Sequence, residues 1–221
     1  MFYFEKFSEI NDVGVELEGG ISEKALTLFK EKAIRDGFFK KLSIGYDGSV
    51  NVPEPFGTYD WINNIEIRFW SNDIDELLHY VDVLFSLGFR QNQTCGNHHH
   101  FTFTSRLSFT TAASFSFYRE FIRKYKAFAI KSGEKYVKRL HNSYCRAPSN
   151  DVDLYNSIVA RDRYFAINFC SIFKHFTLEV RILPYADDSR EFEKMHIWLC
   201  KTLNSLIRKY KQRTITAEVR W

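Results

Sequence analysis

The sequence predicts an α+β fold, an antiparallel or mixed β-sheet with helices packed on one face. Segments that alternate apolar and polar residues interleave with segments carrying an apolar stripe at helical spacing. Two of the clearest alternating segments, residues 163–171 and 176–183, are joined by a short polar turn, the pattern of an antiparallel hairpin. The junctions lack the Gly-rich turns that open the helices of a parallel nucleotide-binding sheet.

Taken in order, Val13-Gly14-Val15-Glu16-Leu17-Glu18 has the period of a strand with one buried face, ended by Gly19-Gly20. Ser22 is placed to cap a helix over Glu23–Arg35, where Leu26, Phe29, Ala33 and Ile34 form the stripe and Gly37 stops it. A short strand and an Asp47-Gly48-Ser49 turn follow. Asn64–Trp70 alternates again, with Ile65, Ile67 and Phe69 on one side and Glu66 and Arg68 on the other. Asp73 caps a second helix bearing Leu77, Leu78, Val81, Leu84 and Phe85, closed by Gly88. His98–Ser105 reads as a strand, Ala113–Ser132 as a basic aromatic helix and Val152–Ala160 as a short helix. After the hairpin, Asp188 and Glu191 form a capping box for a last helix running to about Lys211.

At 221 residues, 45% hydrophobic and 17% aromatic, the chain can bury a full core as one domain, residues 1–221, with the helix at 189–211 packing on it. No stretch approaches the roughly 18 uninterrupted apolar residues of a membrane span, and Met1-Phe2-Tyr3-Phe4-Glu5-Lys6 lacks the order of a signal peptide. Cysteines at 95, 145, 170 and 200 are too scattered for a metal clip and too few to staple the domain. A cytoplasmic protein with reduced thiols and no membrane partner is the expectation. The net charge of +4 concentrates at 119–139 and 201–213, where solvated faces of amphipathic helices are expected before a nucleic-acid patch.

The chemistry-bearing feature is a set of polar pairs at i, i+2 within strands: Glu16 with Glu18, His98 with His100, and Glu179 with Arg181. Each pair must share a face, and Asn168 in the neighbouring strand can join it. Two adjacent carboxylates repel, so such a face calls for cations, and hard divalent ions with oxygen ligands are the natural occupants. Singly, each pair has an ordinary counterpart: E-x-E is more often a solvated strand face, and E-x-R is often a surface ion pair. Three consecutive histidines inside a chain are less ordinary.

Together, and in order, these segments resemble the amidoligase family, relatives of glutamine synthetase and glutamate-cysteine ligase. Gly14-Val15-Glu16-Leu17-Glu18 matches its opening G-x-E-x-E strand and Asp47-Gly48-Ser49 its D-x-S turn, and Glu66 supplies a glutamate-led strand. Gly96-Asn97-His98-His99-His100-Phe101 matches its central G-x-H-x-H. Tyr144-Cys145, Arg163-Tyr164, Asn168 and Leu178-Glu179-Val180-Arg181 follow in the family's order, so the resemblance spans residues 13–184. Two departures are that Ile67-Arg68-Phe69 stands where the family has a small polar, proline-rich segment, and that His99 replaces a usually apolar residue.

The resemblance implies a glutamine-synthetase-like catalytic fold and an ATP- and Mg²⁺- (or Mn²⁺-) dependent carboxylate-amine ligase. Its substrates would be small-molecule or peptide carboxylates and amines, joined through an acyl phosphate. By the same resemblance Glu16, Glu18 and Glu179 bind metal with Glu66 beside them, and His98 is a metal or phosphate ligand. His100, Arg161 and Asn168 contact the nucleotide. Arg181, Glu179 and Arg163 carry the catalysis, and Asp47 and Ser49 shape the acceptor site. Two other readings compete. One is a zinc hydrolase built on His98, His100 and a glutamate. The other is a nucleic-acid-binding module using the cations and aromatics interleaved over Tyr118–Lys131.

Overall fold

The computed structural model of the chain describes residues 1–55, 59–147, 152 and 162–218. Its first half consists of α1 (Tyr3–Lys6), β1 (Ile10–Ser22), α2 (Glu23–Arg35), a 3₁₀ turn (Phe38–Lys41), β2 (Leu42–Tyr46), β3 (Trp61–Ser71), α3 (Ile74–Ser86) and β4 (Gly96–Phe103). The second half contains α4 (Arg106–Ala112), α5 (Phe115–Ser132), α6 (Glu134–Arg139), β5 (Ile167–Asn168), α7 (Cys170–His175), β6 (Leu178–Pro184) and α8 (Ser189–Glu218). The strands form one six-stranded sheet in the order β2-β3-β1-β4-β6-β5, with every pairing antiparallel.

Strand parity divides the sheet into an apolar and a polar face. Val13, Val15 and Leu17 of β1 lie beside Ile65, Ile67 and Phe69 of β3 and Phe101, Leu178 and Val180 of the other flank, all buried. Helices cover this face. Phe29 of α2 packs on Phe69 with ring centroids 5.7 Å apart, Phe192 of α8 stacks on His99 at 5.5 Å, and the Tyr125 hydroxyl of α5 donates to the Ile182 carbonyl at 2.9 Å. Burial of such side chains, worth roughly 1.5–3 kcal/mol each, holds the layers together. The aromatics of the basic helix belong here too. Phe117, Tyr118, Phe121 and Tyr125 are buried and Phe128 stacks on Trp198 at 4.1 Å, so they are not a stacking surface for bases.

Helix starts follow the expected caps. Ser22 Oγ accepts from the Ala25 amide at 3.1 Å, and Asp73 accepts from Asp75 and Glu76 at 2.9 and 3.1 Å while its carboxylate also holds the Met1 ammonium at 3.2 Å. Asp73→Ala is expected to cost about 1–2 kcal/mol, read as a lower urea midpoint at unchanged slope. An unchanged midpoint would show that the cap contributes nothing.

Several expectations need correction. The helix read over 113–132 is present as α5, starting at Phe115 where Ser114 accepts from the Phe117 amide, and a short helix absent from the sequence reading, α4, precedes it. The long strand expected over 163–171 shrinks to Ile167–Asn168: Asn168 Oδ1 accepts from the Cys170 amide at 2.9 Å and turns the chain into α7. That helix ends at Phe176, which adopts a left-handed φ of 55°. The antiparallel pairing survives, with Asn168 opposite Glu179. Helix α7 packs against the polar face, so the helices are not confined to one side of the sheet. In the capping box at α8, Asp188 accepts from the Glu191 amide at 2.7 Å, but Glu191 accepts from Asp187 rather than Asp188. Helix α8 also passes Lys211 to Glu218, since no Gly or Pro interrupts it. The short helix expected at 152–160 lies outside the described residues except Val152. No described helix is long and apolar enough to cross a membrane.

Candidate functional site

The polar face carries two rows that run across the strands. In one, Trp70, Gly14, His100, Glu179 and Asn168 are successive register partners from β3 through β1, β4 and β6 to β5. In the next, Ser43, Arg68, Glu16 and His98 are partners. A register shift between Asn97 and His99 brings Arg181 alongside His98 while Val180 and Ile182 stay in the core. The motif glycines make room for these rows. A Cβ on Gly14 would meet the Trp70 ring at 2.3 Å, and one on Gly96 would meet Arg139 Nη2 at 2.7 Å and His98 Nε2 at 2.9 Å.

Carboxylates on this face are tightly engaged. Glu16 Oε1 lies 3.3 Å from both Arg68 Nε and His100 Nε2, and its Oε2 lies 3.3 Å from His98 Nδ1. Arg68 also pairs with Glu66 at 2.7 Å. Glu179 accepts from Arg181 Nη1 and Asn168 Nδ2, both at 2.6 Å. Glu18 accepts from the Gly96 amide at 2.6 Å and stands 3.6 Å from His98 Nε2.

This packing splits the acidities. Burial works against ionisation of Glu16, but the imidazoles of His100 and His98 outweigh it and hold the carboxyl far below its usual range. Glu66 goes the other way: burial first, then the negative charge of Glu16, push it up to about 7 despite Arg68. For His100, burial opposes protonation, yet the nearby Glu16 and Glu179 carboxylates raise its affinity for a proton.

One ligand atom each from Glu16, His100 and Glu179 falls within 4.8 Å of the others. His100 is 8% exposed, and Ser171 Oγ and Thr177 Oγ1, at 3.1 and 3.0 Å, orient it through Nδ1. Its Nε2, poorly aligned for a hydrogen bond to Glu16, is a buried nitrogen with no hydrogen-bond partner. An imidazole oriented through one nitrogen with the other turned to two carboxylates has the build of a metal ligand. Two oxygens and one nitrogen suit Mg²⁺ or Mn²⁺.

These residues line a cleft of about 200 Å³ that also takes in Glu18, Asp47, Glu66, Arg68, His98, Arg163, Asn168 and Arg181. Next to it lies a polar cavity of about 290 Å³, with Asp47, Ser49, Arg139, Arg163 and Tyr144 in its wall. On the other side is a cavity of about 730 Å³ reaching Lys41, Ser43, Trp70 and His175. Every site residue expected from sequence thus meets in this region, except Arg161, which lies outside the described residues. His100 rather than His98 joins Glu16 and Glu179 in the three-residue set. His99 points the opposite way, buried between Phe101, Phe192 and His196.

The structure adds Arg68, Arg139, Ser171, Thr177 and His175. Arg68 was within reach of sequence reasoning, since Glu66-Ile67-Arg68 repeats the E-x-R spacing of Glu179-Val180-Arg181. Ser171 and Thr177 arrive through the fold of α7, and Arg139 through α6; neither has a periodic signal. No family model, curated protein or solved structure matches the chain.

Proposed function

We propose that the protein is an ATP- and Mg²⁺- (or Mn²⁺-) dependent carboxylate-amine ligase with a glutamine-synthetase-like catalytic fold, working in the cytoplasm on small-molecule or peptide substrates. The observation that carries this is the convergence of Glu16, His100 and Glu179 within 4.8 Å, in the same cleft as Arg163 and Arg181. A carboxylate is a poor electrophile at neutral pH, and phosphorylation gives it a leaving group that an amine can displace. Glu16, His100 and Glu179, flanked by Glu18, Glu66 and His98, would hold a divalent cation, which would supply neutralisation of phosphate charge.

The chain's own groups supply the rest. Arg181 presents planar donors suited to phosphate oxygens, and Glu179 fixes its orientation through the 2.6 Å pair. Arg163 adds a second positive charge at the cleft, and Asn168 holds Glu179 from the far side. Asp47, bound by the Ser49 amide and hydroxyl at 2.8 and 2.6 Å, borders the acceptor side. The zinc hydrolase reading puts His98 and His100 together on one ion, whereas among the described residues only His100 of the two belongs to the three-residue set.

Calorimetry with a non-hydrolysable ATP analogue tests the proposal. Binding is expected to require Mg²⁺ and to weaken at least about tenfold, or roughly 1.4 kcal/mol, in Glu16→Gln. Binding that ignores Mg²⁺, or none at all, would overturn the ligase, and stoichiometric zinc in the purified protein would turn the assignment to a hydrolase.

A further inference from the structure

Arg139, at the end of α6, is a buried charge with no charged partner among the described residues. It is 8% exposed, its Nη2 donates to the Arg181 carbonyl at 2.8 Å, and its Nε is buried with no hydrogen-bond partner. It makes no ion pair with a described carboxylate. Its place is prepared, since Gly96 leaves the space that a Cβ would contest with Nη2 at 2.7 Å. A buried guanidinium without a counter-charge is costly, and an orphaned buried donor calls for a partner that arrives from outside.

The cavity it lines indicates what that partner is. At about 290 Å³ it lies at the small end of ligand pockets, which run from about 300 to 1,000 Å³. That space suits an amino-acid-sized molecule, not a nucleoside triphosphate. Beside the guanidiniums of Arg163 and Arg181, its wall also carries the carboxylates of Asp47 and Glu18, which attract an ammonium. Asp47 is held ionised: burial opposes it, but the two Ser49 hydrogen bonds outweigh burial and keep its carboxyl below the usual range.

We infer that Arg139 is the seat for a substrate carboxylate, with Asp47 and Glu18 in the same wall as the seat for an ammonium, so that the polar cavity takes a zwitterionic α-amino acid or peptide end. As a statement about the ligase's substrate this rests on the function proposed above. As a binding site it stands separately, and its test needs neither nucleotide nor metal.

The experiment is calorimetry of the intact protein with each of the twenty common amino acids and with tail-to-tail controls: putrescine, which lacks a carboxylate, and inorganic phosphate. At least one amino acid is expected to bind and putrescine and phosphate are not. Arg139→Met should weaken that amino acid at least tenfold while the thermal midpoint holds or rises, because an unpaired buried charge is removed. Should Arg139→Met fail to fold, Asp47→Asn, a change at a half-buried residue of the same cavity, is expected to weaken the same ligand severalfold. Binding of no amino acid, binding unchanged in the folded variants, or Arg139-dependent binding of phosphate alone would each overturn the inference. Amino-acid binding that survives a failed Mg²⁺–nucleotide test would retain the seat and remove only the ligase.

Discussion

Replacing Glu179 with Gln is expected to lower ATP turnover by about a thousandfold while the protein stays folded, a loss of roughly 4 kcal/mol in transition-state stabilisation. The change removes one charge at nearly constant volume from the set that includes Glu16 and His100. It is not silent in the fold, because both Glu179 oxygens accept, from Arg181 and from Asn168. A Gln amide puts one NH₂ against a donor. Asn168 can turn to meet it only by giving up the bond from the Cys170 amide, so a stability cost of about 1–2 kcal/mol accompanies the kinetic loss. Steady-state ADP release and a urea melt on the same preparation separate the two effects. Turnover within tenfold of wild type in a folded variant would remove Glu179 from the chemistry.

The second large effect is loss of stability in acid, centred on His196. This residue is fully buried on α8, with Nε2 2.8 Å from the Tyr3 hydroxyl, and burial, helped by Lys6, lowers its pKa to about 3. In the unfolded chain it returns to about 6.5, so as pH falls the unfolded state takes up the proton first. Its contribution is therefore complete above about pH 6.5 and is lost progressively toward pH 3, at on the order of 1 kcal/mol per pH unit. The described residues that face it, Tyr3, His99, Phe192 and Cys200, include no carboxylate to shelter the imidazolium. Unfolding free energies from urea melts between pH 8 and 4 should show this slope, and His196→Phe should reduce it, leaving the part due to His99, which burial also holds neutral, even though the Tyr3 hydroxyl loses its partner. Equal slopes in the two proteins would exclude His196 as the source.

How far the sequence reached depends on the range of the interaction. Strand parity is local, so the assembly of Glu16, Glu18, Glu66, His98, His100, Glu179 and Arg181 on one face could be read from i, i+2 spacing before any strand was paired. Helix caps at Ser22 and Asp73 are equally local, and both formed as expected. Register between distant strands is not local. That Glu16 lies between Arg68 and His98, or that Asn168 meets Glu179, follows from pairing that no single segment encodes. Strand length failed at residues 163–171 because an Asn side chain competed with the ladder for the Cys170 amide. Arg139 was invisible for a related reason: its significance is the absence of a partner, which only the packed chain can reveal.

The three histidines of β4 serve both sides of the sheet, two in the cleft and one in the core. A point substitution changes one of these roles at a time. An inserted or deleted residue in the strand would exchange them all downstream, sending cleft imidazoles into hydrocarbon and the stacking ring of His99 into water. Insertions and deletions should therefore be tolerated in the connections around Gly96–Phe103 and barred within it. Descent can tune this centre residue by residue, but it cannot slide it along the chain.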